Sequence, residues 1–188
     1  MSTKAQNRLE SQYAGINLEG QPHALSAWFV VLLRAMIGGM ILFAGLGKYA
    51  FVPGGEAFDA GGYLANVDAV SPASGLFALM AESALFMEFV NVIVPLTQVL
   101  IGLALITGAF VRLAALGGAM QMALFYLGGW PTEWLAIFDS TLIYMVVFLA
   151  VAAFGAGRIL GLDKHIEQLD IGGEPLIEKY PAAKYILG

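Results

Sequence analysis

The chain has 188 residues, 59% of them hydrophobic and 12% charged, with 23 glycines, no cysteine and a formal net charge of −5. So apolar a composition excludes an ordinary soluble domain and fits packed membrane helices. The missing cysteines exclude disulfides, thiolate metal ligands and dithiol redox chemistry, and the negative charge argues against a nucleic-acid partner.

Residues 1–25 are polar and broken by Asn17, Gly20 and Pro22, which describes a tail. The first apolar run, 26–51, starts too far in and is too long for a secretory leader, whose apolar core is about 7 to 15 residues. It is read as a retained span, with Ser26 as its N-cap. Further apolar runs cover 85–110, 113–130 and 134–154, each near the length of about 20 residues that crosses a bilayer. Because backbone polar groups in lipid must be paired, uninterrupted runs of this length are helices and not barrel strands. The expected fold is an all-α integral membrane four-helix bundle, its transmembrane domain spanning 26–154.

Between the first two spans lies the one long loop, punctuated by Pro53, Gly54, Gly55, Gly61, Gly62 and Pro72. Its second part, 74–89, has apolar residues at helical spacing and reads as an interfacial helix, or as an extension of the second span. After the fourth span, Gly155 and Gly157 end the helix and 163–170 predicts a short amphipathic one within a C-terminal tail, 155–188. The last residues, with Tyr180 and Tyr185, either pack back on the bundle or bind a partner.

Seven cations lie outside the spans: Lys4, Arg8, Arg112, Arg158, Lys164, Lys179 and Lys184. A four-span topology places all of them on one side. The opposite loops carry Glu56, Asp59, Asp68, Glu82 and Glu133 and no cation, so the positive-inside rule predicts a cytoplasmic membrane protein with both termini in the cytoplasm.

Ionisable residues inside a membrane cost at least about 2.5 kcal/mol on insertion scales, so each asks for a reason. Arg34, Gly38, Ile41, Gly45 and Lys48 lie on one face of the first helix, with glycines that let a neighbouring helix or a flat ligand approach. Glu88, Asn91, Pro95, Gln98 and Gly102 form the matching stripe on the second. By depth, Lys48, Asp139 and Glu88 are expected to form an outer charge cluster, catalytic or merely holding helices together. Arg34 and Gln98 are expected to form an inner polar layer; the alternative is that Arg34 snorkels to the headgroups. Gln121 suits a ligand contact or a bond between helices. Tyr126 belongs with Phe125, Trp130 and Trp134 to an interfacial aromatic belt or a quinone platform. His23 and His165 stand apart in polar flanks, and no metal site is readable.

Three phrases, LLRAMIGGMILFAGLGKYAF at 32–51, VPLTQVLIGLALITGAFVRLAAL at 94–116 and AFGAGRILGLDKHIEQL at 153–169, resemble the DoxX and DoxD family of small four-helix membrane proteins. The positions matching the shared pattern are Arg34, Gly45, Lys48, Gly102, Gly108, Arg112, Gly157, Arg158, Gly161 and Asp163. For the DoxD branch the resemblance implies a subunit of thiosulfate:quinone oxidoreductase, which oxidises thiosulfate to tetrathionate and passes electrons to quinone. Many relatives have glutamate where this chain has Gln98, so here Arg34 faces a neutral amide at best, and proton-coupled chemistry at that depth is disfavoured.

Two functions follow as expectations. One is a membrane subunit of a quinone-linked oxidoreductase, with Lys48 stabilising a quinone oxyanion and Asp139 or Glu88 moving the proton. The other is a non-catalytic scaffold that anchors a partner redox complex. Since the chain has no electron-carrying motif of its own, either reading calls for a second protein subunit or a pocket shared by substrate and quinone.

Overall fold

The computed structural model describes residues 9–188. It opens with a hairpin of β1 (Leu9–Tyr13) and β2 (Ile16–Gly20), an addition to the all-α expectation. The strands are antiparallel with Tyr13 opposite Ile16. Ala14 and Gly15 both have positive φ, 50° and 80°, the backbone of the two-residue turn whose twist matches a hairpin.

Four candidate membrane spans follow: α1 (Ser26–Leu46), α4 (Ala84–Thr107), α5 (Val111–Gly128) and the segment Trp134–Ala153, which contains α6 (Ser140–Ala153). Two short helices, α2 (Ala60–Leu64) and α3 (Ser74–Glu82), fill the long loop, and α7 (Asp163–Glu167) and α8 (Leu176–Lys179) lie in the C-terminal tail. The interfacial helix therefore stops before the second span. Ser83 leaves helical backbone, and its hydroxyl caps α4 by accepting from Phe86 N. Ser26 is the first helical residue of α1 and not its cap.

α1 packs chiefly on α4 and α5 on α6, while α4 meets α5 and α1 touches α6 to close the ring. The interior holds Ile37, Ile41, Leu105, Val111, Phe148 and Val151. Glycines allow the long helices to approach closely: a Cβ at Gly102 would meet Leu42 Cβ at 2.5 Å, and one at Gly118 would meet the Phe148 ring at 2.6 Å. Outside, Trp28, Met36, Phe43, Val92, Leu100, Met120 and Val146 are exposed. A bundle with apolar residues on both its inner and outer surfaces is a membrane protein, since the outer set has only lipid to face.

α6 is six residues shorter than the apolar run that contains it. The run begins at Trp134, but Trp134–Ala136 is a 3₁₀ turn, and α6 starts after Asp139. At 1.5 Å per residue α6 alone covers about 21 Å, so the apolar segment before it completes the crossing.

Candidate functional site

The pairing of α1 with α4 fixes which polar residues share a level. A Cβ at Gly38 would fall 2.9 Å from Leu105 Cβ, and one at Gly45 2.8 Å from Gln98 Cβ. The helices are antiparallel, so Arg34, four residues before Gly38, is level with Ala109, four residues after Leu105. Arg34 thus lies at the α4–α5 turn, about 16 Å along the axis from Gln98. The expected Arg34 to Gln98 layer does not form, because α1 extends further toward this end than α4 does.

Arg34 is 3% exposed. Its guanidinium donates to the carbonyls of Ala156, Ile159 and Leu160, the last two at 3.1 Å. These belong to the connection after α6, which the Arg34 fork holds in a curve. Gly161 is needed there, since a Cβ would lie 2.9 Å from both Arg34 Nη1 and Gly108 O. Gly108 turns the chain out of α4 in left-handed backbone at φ 73°.

Asp163, wholly buried, receives three backbone donors: Phe110 N at 2.6 Å, Val111 N at 3.0 Å and Gly188 N at 3.0 Å. It caps the start of α5, where Phe110 has positive φ and no side chain of its own to offer. Asp163 N returns a bond to Gly108 O at 2.9 Å. A Cβ at Gly157 would run into the Asp163 carboxylate. The tail closes the same spot: Gly157 N donates to Gly188 O, Leu113 N to Ile186 O, and Arg112 to Ala152 O and Lys184 O. Arg158 pairs with Glu167 at 2.7 Å. Of the ten positions that carry the family resemblance, seven assemble in this closure at the basic end, while Gly45 and Gly102 sit in the α1–α4 contact.

At mid-bundle Gln98 is 1% exposed and Gln121 8%. Gln121 Nε2 reaches Thr97 Oγ1 at 3.4 Å, joining α5 to α4. Both side-chain oxygens lack a partner. Asn91 accepts from Ala60 N at 2.7 Å and so pins the start of α2 to α4.

Toward the other end, which carries the acidic loops, the expected cluster is dispersed. The register that pairs Gly45 with Gln98 sets Lys48 level with Pro95, about 10 Å deeper than Glu88. Lys48 Nζ donates to Ala44 O and lies 5.6 Å from the centre of the Phe58 ring. Asp139 is the N-cap of α6, accepting from Leu142 N at 2.8 Å. Glu88 is exposed on α4. Tyr126 donates to Ile137 O and ties α5 to the segment before α6.

A cavity of about 310 Å³ lies between α4, α5 and the α2–α3 cover. Sequence reading missed it, because its walls come from three separate stretches: Phe58 and Tyr63, then Phe77 and Phe86, then Met120 and Phe125. Tyr63 closes it by donating to Phe125 O, and Ser71 donates to Leu127 O beside it. Burial pushes the Tyr63 phenol above its ordinary pKa. The lining is apolar throughout, with Tyr63's hydroxyl already bonded. A quinone ring placed inside would leave its carbonyls unpaired, at about 1–3 kcal/mol each, so the cavity fits a quinone's hydrocarbon tail and not its ring. Among the described residues no three His, Asp or Glu side chains gather to hold a metal.

These features define a four-helix membrane bundle with a tied polar end and an apolar cavity. The chain matches no family model, no curated protein and no solved structure.

Proposed function

We propose that this chain is a non-catalytic membrane subunit that anchors a quinone-linked redox complex, of the thiosulfate-oxidising type its resemblance suggests, in a cytoplasmic membrane with both termini inside. The observation that carries this reading is how four of the candidate site residues are engaged. Arg34, Asp163, Asn91 and Asp139 bond backbone atoms of other segments or cap helices, which is scaffolding. Among the described residues Lys48 bonds Ala44 O and pairs with no acid that could move a proton. The clustering of cations at one end supports the orientation.

A catalytic reading is favoured by Lys48 itself, a cation level with the middle of α4 that contacts Phe58, a wall of the cavity. There the ammonium would meet an oxyanion from outside the cavity, and a partner subunit would carry the proton.

Extraction from the native membrane in mild detergent, followed by mass spectrometry of bound protein and quinone, tests both. The anchoring reading expects a redox subunit to co-purify and Lys48→Met to leave its turnover intact. Lost turnover in an assembled Lys48→Met complex would replace it with the catalytic reading, and isolation with no redox partner would remove both.

A further inference from the structure

We infer that the cavity under the α2–α3 cover is a binding site for a single unfunctionalised hydrocarbon chain, entered sideways from the membrane between α4 and α5. Its volume of about 310 Å³ is well above the roughly 150 Å³ of an apolar cavity that stays dry and takes up benzene. Water has nothing to bond inside, because the polar groups at its edge are engaged: the Tyr63 hydroxyl with Phe125 O, and Ala60 N with Asn91. A ligand with polar atoms in its buried part would lose their hydrogen bonds on entry. A hydrocarbon chain loses nothing.

The mouth is on the lipid side. Phe89, Met120 and Leu124 line the cavity and are 58%, 67% and 40% exposed on the outer surface of the bundle. α4 and α5 pack less closely on each other than either does on its main partner, which leaves a seam along which a chain can lie. Met80 and Met120 in the wall adapt to an irregular or branched chain. The same chemistry has two sources, the acyl or isoprenoid chain of a membrane lipid and the tail of a quinone. The inference stands on the cavity alone and does not require the redox role.

The test places the full-length protein in vesicles containing a phospholipid with a photoactivatable diazirine on its chain, and maps the adducts by mass spectrometry. Adducts are expected to concentrate on Met80, Phe86 and Met120 over the lipid-facing Val92 and Leu96, although Met80 and Phe86 are less exposed than either. They should fall to that background in Ala60→Phe and in Val90→Phe, which narrow the cavity from its α2 and α4 walls and are each checked for fold by size exclusion. Adducts spread evenly over the lipid-facing helices, or undiminished in the folded variants, overturn the inference. Competition then separates the sources. Displacement by a long-tailed quinone but not by a short-tailed one of the same headgroup assigns the site to a quinone tail, and displacement by neither assigns it to membrane lipid. Equal displacement by both would mean the headgroup is what binds, which overturns it.

Discussion

Arg34 and Asp163 form no ion pair with each other, yet they hold opposite sides of one connection. Arg34 takes the carbonyls of Ala156, Ile159 and Leu160, and Asp163 takes the amides of Phe110, Val111 and Gly188. Arg34 thus orders the connection after α6, and Asp163, just beyond that connection, ties it to the start of α5 and to the C-terminus.

Removing either should cost more than a surface change and the two losses should overlap. Asp163→Asn keeps one acceptor and leaves a buried amide without a partner, an expected loss of about 3 kcal/mol. Arg34→Met strands the three carbonyls and should cost a similar amount. Because the same segment comes loose in both, the double variant should fall short of the sum by about 1–3 kcal/mol. Thermal unfolding in one mild detergent measures the cycle, and strict additivity would mean the closure is not a unit.

Gln98→Glu distinguishes this arrangement from an Arg34 to carboxylate layer. Gln98 is packed against Gly45, and Arg34 is about three helical turns away. A carboxylate there would be buried, and the one cation about a turn away, Lys48, already donates to Ala44 O, so it would take a proton or destabilise the bundle. The expected result is a lower melting temperature, more so at pH 8 than at pH 5. A stabilised variant would show that a cation, Arg34 or Lys48, does reach this level.

Backbone clashes and side-chain clashes at glycines should differ in cost. In Gly102→Ala the new methyl meets Leu42 Cα and N at 2.7 Å. Backbone cannot swing aside, so α1 and α4 must part, an expected loss of about 1–3 kcal/mol. Gly39 has nothing within 4 Å of a Cβ, and Gly39→Ala should stay within about 1 kcal/mol of the parent. Melting temperatures of the two variants check the contrast.

The spans were legible in the sequence because lipid demands long apolar runs, and run length is written in composition. Their ends were less so. The run from Trp134 is as apolar as any helix, but Asp139 caps the chain five residues later and sets the start of α6. Relative depth was the larger error: counting from span ends assumes that all helices begin on one plane, whereas the Gly38–Leu105 and Gly45–Gln98 contacts slide α1 past α4. Arg34's partners could not be read at all, since they are carbonyls, which every residue carries. The hairpin did leave a signal, Ala14-Gly15 between apolar alternations at Leu9, Tyr13, Ile16 and Leu18.

Lys48 and Asp139 should behave as strangers. Asp139→Ala removes the N-cap of α6 and should cost about 1 kcal/mol. Lys48→Met removes a cation that has no acid partner among the described residues and so leaves no orphan charge behind. The double variant should equal the sum within about 0.5 kcal/mol. A coupling well beyond that in detergent unfolding would restore the outer charge cluster.

Tyr63 should make the α2–α3 cover sensitive to alkali. Its phenol donates to Phe125 O at 3.0 Å, and burial holds its pKa above the ordinary value of about 10. The closed cover thus prefers the protonated form. Its stabilisation is complete below the ordinary pKa and is lost as pH rises from there through the raised folded value. Tyr63→Phe should cost about 1 kcal/mol at neutral pH through the lost hydrogen bond, and the gap to the parent should shrink as pH climbs past about 10. Unfolding series at several alkaline pH values give the gap. Ultraviolet titration should show one tyrosinate forming above the ordinary range in the parent and missing from the variant; identical alkaline limbs in the two would mean the cover is open to water.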